Sequence, residues 1–240
     1  MNMSPAVEAR APARRLIAPL WHTILLIALL LAISAWGAAL QGRDHAGGAI
    51  VEQRPRVIPL YLSLMVAEWG LLRLVWAGGL KRTGTSLRTL IGGQWRGWKP
   101  VARDVVLGLV FWAAVSGAGA LIGSVLPPGA AKSIDVLLPR GVLESLAWVG
   151  ISLTAGFCEE VVFRGYFQAQ FFALTGSRAV ALVLQAVLFA VAHSYQGTRA
   201  VLVIVVYGLV YGALAQWRKS LRPGMIAHAW TDIFSGLLLR

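Results

Sequence analysis

Apolar runs long enough to cross a lipid bilayer recur along this chain, and no other feature constrains its folding as strongly. A hydrocarbon core of about 30 Å is spanned by about 20 apolar residues in a helix. In lipid, backbone polar groups can be satisfied only within helices or closed barrels. On that basis the 240 residues divide into seven segments, roughly 17–40, 57–79, 101–126, 141–161, 177–194, 200–217 and 222–239. Residues 162–175 form a further apolar-aromatic stretch, expected to be an eighth, partial or interfacial segment. A transmembrane barrel would show polar and apolar residues alternating in pieces of about 10 residues, and this sequence does not alternate. The expected fold class is therefore all-α, a polytopic transmembrane helical bundle with about seven to eight spans. The expected location is the cell membrane, multi-pass, with the lipid bilayer as the principal partner.

The charge content agrees. Only 13% of residues are charged and 58% are hydrophobic, against about 25% and 45–50% in soluble domains. The net charge of +12 raises nucleic-acid binding as a reading. The basic residues lie instead in short blocks between apolar runs, as loops flank membrane spans. No basic stripe with interleaved aromatics appears, so nucleic acid is not an expected partner. Arg10, Arg14 and Arg15, the loop 80–103 and the loop carrying Arg218, Lys219 and Arg222 fall on one side of the membrane in this count. The opposite loops are mixed, with Arg43, Asp44, Glu52, Arg54 and Arg56 in one and Lys132, Asp135 and Arg140 in the other. The positive-inside rule then puts the N-terminus in the cytosol. Seven spans place Arg240 outside, and an eighth reverses that.

The apolar run after Arg15 is too long for a signal-peptide core and reads as a retained first span, with residues 1–15 a loose cytosolic tail. Cys158 is the single cysteine, which excludes an internal disulfide and reads as a small buried apolar residue. Eight tryptophans, Trp36, Trp69, Trp76, Trp95, Trp98, Trp112, Trp148 and Trp217, fall mostly towards segment ends, where an interfacial belt is expected. Pro127–Pro128–Gly129 marks a turn outside the membrane. No internal repeat suggests an inverted-repeat transporter.

Ionisable groups inside spans are costly and usually functional. Glu68 and Arg73 stand five apart, which suits an interfacial or structural role better than chemistry. Glu144 lies near a segment start, where water reaches it. The stretch Glu159–Glu160–Val161–Val162–Phe163–Arg164 is different. Adjacent helical carboxylates point about 100° apart, so the two cannot face one pocket equally. Arg164 follows Glu160 at i+4 and can pair with it. Glu159 is left as the free carboxylate, poised in low dielectric to take and return a proton.

His193 closes the run from Phe189, and His228 and Asp232 share a helix face at i, i+4. His22 and His45, the other two histidines, have no such company and are assigned no role. A helix from Glu159 to Thr175 travels about 24 Å, and one from Ser177 to His193 returns about 24 Å, so antiparallel helices would bring Glu159 and His193 level. A continuous helix over 141–175 would be about 51 Å long, which requires a break, a tilt or a cytosolic extension.

Taken in order, Glu159–Glu160 with Arg164, Phe189 with His193, and His228 with Asp232 resemble the motifs E-E-x-x-x-R, F-x-x-x-H and H-x-x-x-N of the CPBP intramembrane proteases, also called the CAAX protease and bacteriocin-processing, or Abi, family. Each motif is weak alone; all three in order, within membrane segments, are specific. The likeness covers residues 140–240, a catalytic transmembrane core, preceded by N-terminal transmembrane helices over 16–139 that match only in being hydrophobic. Many members carry Asn where this chain has Asp232.

The resemblance implies an intramembrane endopeptidase acting on a membrane-associated protein or peptide substrate. Glu159 would activate water with His193 assisting, and His228 would face the oxyanion. Asp232 would donate to the oxyanion when protonated, or orient His228. Glu160, Arg164 and Phe189 would support the site. The cofactor is not fixed by the sequence. A metal-free glutamate mechanism is favoured, while Glu159, His193 and His228 would be the ligands of a zinc ion if one is used, and no H-E-x-x-H helix is present to set metal geometry. Two other classes compete: a non-catalytic immunity or regulatory membrane protein on the same fold, its motifs holding helices together, and a small proton-coupled transporter.

Overall fold

The computed structural model describes residues 15–43, 56–125 and 137–238. Helices run in the order α1 (Leu20–Arg43), α2 (Val57–Thr83), α3 (Leu87–Ile91), α4 (Trp98–Val125), α5 (Gly141–Thr175), α6 (Arg178–Ala192), α7 (Thr198–Arg218) and α8 (Arg222–Leu238). Among the described residues there is no strand. The N-terminal tail to Arg14, the loop residues Asp44, His45, Glu52, Arg54, Pro127–Pro128–Gly129, Lys132 and Asp135, and Arg240 lie outside the described residues.

The helices follow the expected segments. Among the described residues, four helices are long and apolar enough to cross a membrane: α2, α4, α5 and α7. Leu20–Trp36 of α1 and all of α6 are apolar but shorter. Helix α8, 17 residues long, carries Arg222, His228 and Asp232. Residues 162–175 are not a separate segment. They continue α5 as one helical stretch of 35 residues, about 52 Å at 1.5 Å per residue. Its length is accommodated without a break: residues Glu160–Phe167 are π-helical and all eight are buried. Lipid does not have to cover that part of the helix because neighbouring helices do.

Helix α5 is the central element, packed against α2, α6 and α8. Its turn into α6 is locally encoded. Gly176 takes the left-handed conformation (φ +75°) that ends α5, and the Ser177 hydroxyl caps α6 by accepting from the Val180 N–H at 3.3 Å. The pair is thereby antiparallel. Against α8, a Cβ at Gly156 would lie 2.8 Å from the Ala229 nitrogen, so only glycine permits this approach. Helices α6 and α7 are bridged in the same way as many membrane helix pairs, by small residues and amide hydrogen bonds: Gln185 Nε2 donates to the Gly208 carbonyl at 2.8 Å, and Gln168 Nε2 of α5 donates to the Gly212 carbonyl at 3.0 Å.

The basic loops gather at one end of the bundle. Arg15 donates to the Thr83 carbonyl at 2.7 Å, and the Leu221 N–H donates to the Ile91 carbonyl at 3.1 Å. Asp104, 1% exposed, accepts from Trp95 Nε1 at 2.8 Å and faces Arg222 at 3.6 Å and Arg218 at 3.8 Å. The outer helix faces carry large exposed apolar side chains such as Val66, Val106, Leu121 and Leu146, the surface expected against lipid. Trp36, Trp69, Trp98 and Trp217 are exposed as a belt requires. Trp148 departs from the belt: its indole N–H donates to the Asp232 carbonyl at 2.9 Å inside the bundle.

Candidate active site

Four elements deliver the ionisable side chains. Helix α5 brings Glu159, Glu160 and Arg164, the C-terminal end of α6 brings His193, α8 brings His228 and Asp232, and α2 brings Glu68. They meet around a cavity of about 360 Å³. Glu159 stands between two imidazoles, with its Oε1 3.8 Å from His193 Nε2 and its Oε2 3.6 Å from His228 Nε2. Glu159 and His193 are thus level in the bundle, as antiparallel α5 and α6 require.

Both imidazoles are fixed through their far nitrogens. His193 is the residue at which α6 ends, and its Nδ1–H donates to the Phe189 carbonyl one turn back at 2.8 Å. His228 Nδ1–H donates to Glu160 Oε1 at 3.0 Å. Each Nε2 is therefore presented to the Glu159 carboxylate. The gaps of 3.6 and 3.8 Å are too long for direct hydrogen bonds and suit a bridging water. The side chains of Glu159, His228 and His193 are 12%, 14% and 16% exposed, so water from the cavity can reach them.

Glu160 lies behind this row. Its carboxylate is fully buried and is compensated by Arg164, 3.2 Å away at i+4, and by His228. The Arg164 guanidinium, also buried, lies 4.1 Å over the Phe189 ring, a cation–π contact in a desolvated setting. As adjacent helical positions require, the two carboxylates do not face the cavity equally: Glu159 lines it and Glu160 does not. Glu159 and Glu160 approach opposite nitrogens of the same His228 ring, at the point where α5 turns π-helical. The orientation of His228 falls to Glu160; Asp232, 3.8 Å from His228 Nε2 and 34% exposed, stands on the cavity side.

Glu68, expected from its spacing to Arg73 to be structural or interfacial, is drawn to the site. It lines the cavity together with Glu159. Arg73 is exposed on the same helix. Only the unusual depth of Glu68 in its segment pointed to it. Tyr195, Tyr207 and Tyr211 also line the cavity and carried no sequence signal. Cys158 is fully buried in an apolar cluster with Leu72, Val161 and Leu221. Glu144 accepts from the Arg140 N–H at 2.6 Å at the start of α5.

Among the described residues, no group of three or more His, Cys, Asp or Glu side chains is arranged to hold a metal ion.

Comparison of the chain with curated proteins and with solved structures found no match. A protein-family model, described as type II CAAX prenyl endopeptidase Rce1-like, matches residues 141–234. The match begins at the first residue of α5 and ends beyond Asp232 in α8, so it takes in all three motifs but neither α2 nor Glu68. The apolar helices make this a membrane protein, and its C-terminal segment, residues 141–234, is similar to the Rce1-like type II CAAX prenyl endopeptidases.

Proposed function

We propose that the chain is an intramembrane endopeptidase that hydrolyses peptide bonds of membrane-associated substrates with a water activated by Glu159. The observation that carries this reading is the position of the Glu159 carboxylate between His193 Nε2 and His228 Nε2, 3.8 and 3.6 Å away, in a water-reachable cavity. A water held between Glu159 and His193 loses a proton to Glu159 as its oxygen attacks the scissile carbonyl carbon. The carbonyl oxygen becomes an oxyanion facing His228. His228 Nε2 lies between the carboxylates of Glu159 and Asp232, which favours a hydrogen on that nitrogen, and that N–H donates to the oxyanion. Collapse of the tetrahedral intermediate breaks the C–N bond, and Glu159 returns its proton to the leaving amine. The new carboxylate and the amine are the products.

Glu160 and Arg164 touch no substrate in this scheme. They hold His228 in the ring orientation that the oxyanion needs. The test uses purified protein in lipid vesicles with membrane-anchored peptides, comparing wild type with Glu159→Gln. Cleavage by wild type alone is expected. Cleavage by both, or by neither, overturns the reading. A chelator arm addresses the metal-free form: unchanged turnover is expected, and a loss restored only by zinc would replace it with attack by a metal-bound water.

A further inference from the structure

The cavity occupies one half of the bundle only. Its lining comes from Leu60 in the first turn of α2, Leu138 just before α5, Trp148 in the early turns of α5, Gln196 between α6 and α7, and Ser235 near the end of α8. All of these belong to the same end of the helices. The opposite end holds the last turn of α2, loop 84–97, the α5–α6 turn and the α7–α8 turn. That opposite end is strongly basic. Lys81, Arg82, Arg178, Arg218, Lys219 and Arg222 cluster on its helix ends and turns, and Asp104 is the single acidic residue among the described residues there. At the cavity end, Arg43, Arg56, Arg140 and Arg199 stand with Glu144, and the cavity itself adds Glu68, Glu159 and Asp232.

Excess Lys and Arg in short loops stays on the cytosolic side of a membrane. From the geometry and this charge asymmetry together we infer that the cavity opens on the extracytoplasmic face, so that its substrates are extracytoplasmic juxtamembrane segments of membrane-anchored proteins. This rests on the protease reading above for the word substrate, but the sidedness stands independently of it. A peptide must enter extended past Leu60 and Gln196 to bring its carbonyl to Glu159 and His228. A lipid-modified C-terminus held at the cytosolic surface meets the closed, basic end, where Asp104, Trp95, Arg218 and Arg222 interlock.

The protein's single cysteine makes the test clean, because Cys158 is fully buried. A membrane-impermeant maleimide is applied to intact cells expressing the full chain with one added cysteine. Thr198→Cys reports the exposed start of α7 at the cavity end, Ser235→Cys the cavity wall and Gln94→Cys the exposed loop at the basic end; the unsubstituted chain is the blank. The expected pattern is labelling of Thr198→Cys and Ser235→Cys in intact cells and of Gln94→Cys only after lysis. The reverse pattern, labelling of all three in intact cells, or labelling of none, overturns the assignment. Repeating the labelling in a Glu159→Gln background separates the two claims. Labelling does not need turnover, so an inactive enzyme with the expected pattern would sink the protease reading and leave the sidedness intact.

Discussion

Arg164 shows how a residue remote from the reacting atoms governs them. Its guanidinium and the Glu160 carboxylate are both about 1% exposed and 3.2 Å apart, and Glu160 in turn holds His228 Nδ1 at 3.0 Å. Removing one partner of a buried pair costs about 3–5 kcal/mol because the other charge is left uncompensated. Arg164→Ala is expected to lower thermal stability in detergent by that order and to lower turnover as His228 loses its orientation; unchanged melting would contradict the buried pair. Asp232 makes a milder case. It lies 3.8 Å from His228 Nε2 and is partly exposed, while Glu160 already orients the ring. Asp232→Asn should therefore retain turnover to within about tenfold of wild type, well short of the 10²–10⁴ that a general acid–base group supplies, and peptide-cleavage rates at equal protein concentration would measure it. The ionisable residues of the three motifs were legible in the sequence because each stands where lipid makes a charge costly. Glu68 was not, because its neighbours along the chain offer no partner and the cavity it shares with Glu159 is built from helices distant in sequence.

At the scale of elements, the sequence disclosed helices through hydrophobic length but not their internal irregularities. Nothing in Glu160–Phe167 announces a π-helical turn, since it arises from packing on all sides of α5, and such turns recur at functional sites. A second π-helical turn, Val75–Leu80 in α2, explains His22, which the sequence left without a role. His22 Nε2–H donates to the Leu74 carbonyl beside that turn at 3.0 Å, and its Nδ1 accepts from the Tyr166 hydroxyl of α5 at 2.9 Å. Thr23 and Gln170 extend the chain of hydrogen bonds between α1 and α5. A lone histidine looks idle in one dimension because both of its partners lie on other helices. His22→Ala removes one partner of the buried Tyr166 hydroxyl, which keeps Thr23, and the side-chain partner of the Leu74 carbonyl, at about 1–3 kcal/mol for a group left unsatisfied. Thermal melting in detergent should fall accordingly, while turnover measured at a temperature where the variant stays folded should be near wild type. A large loss of turnover without loss of stability would contradict a purely structural role.

For the whole molecule, sequence length and charge patterning gave the all-helical membrane architecture and the clustering of basic loops at one end, because both follow from the solvent rather than from tertiary detail. The number of full spans was less legible. Helices α6 and α8 are short and α5 is long; the buried stretch Glu160–Phe167 of α5 is covered by protein and need not match lipid thickness. The central claim is that Glu159 and His193 act as one unit on a single water. It is tested most directly by turnover of purified wild type, Glu159→Gln, His193→Ala and the double variant on one verified membrane-anchored peptide. Each single change is expected to cost about 10²–10⁴-fold, and the double variant to be little slower than either, because groups that serve one step are not additive. Wild-type turnover by Glu159→Gln, or losses that multiply in the double variant, would contradict the account.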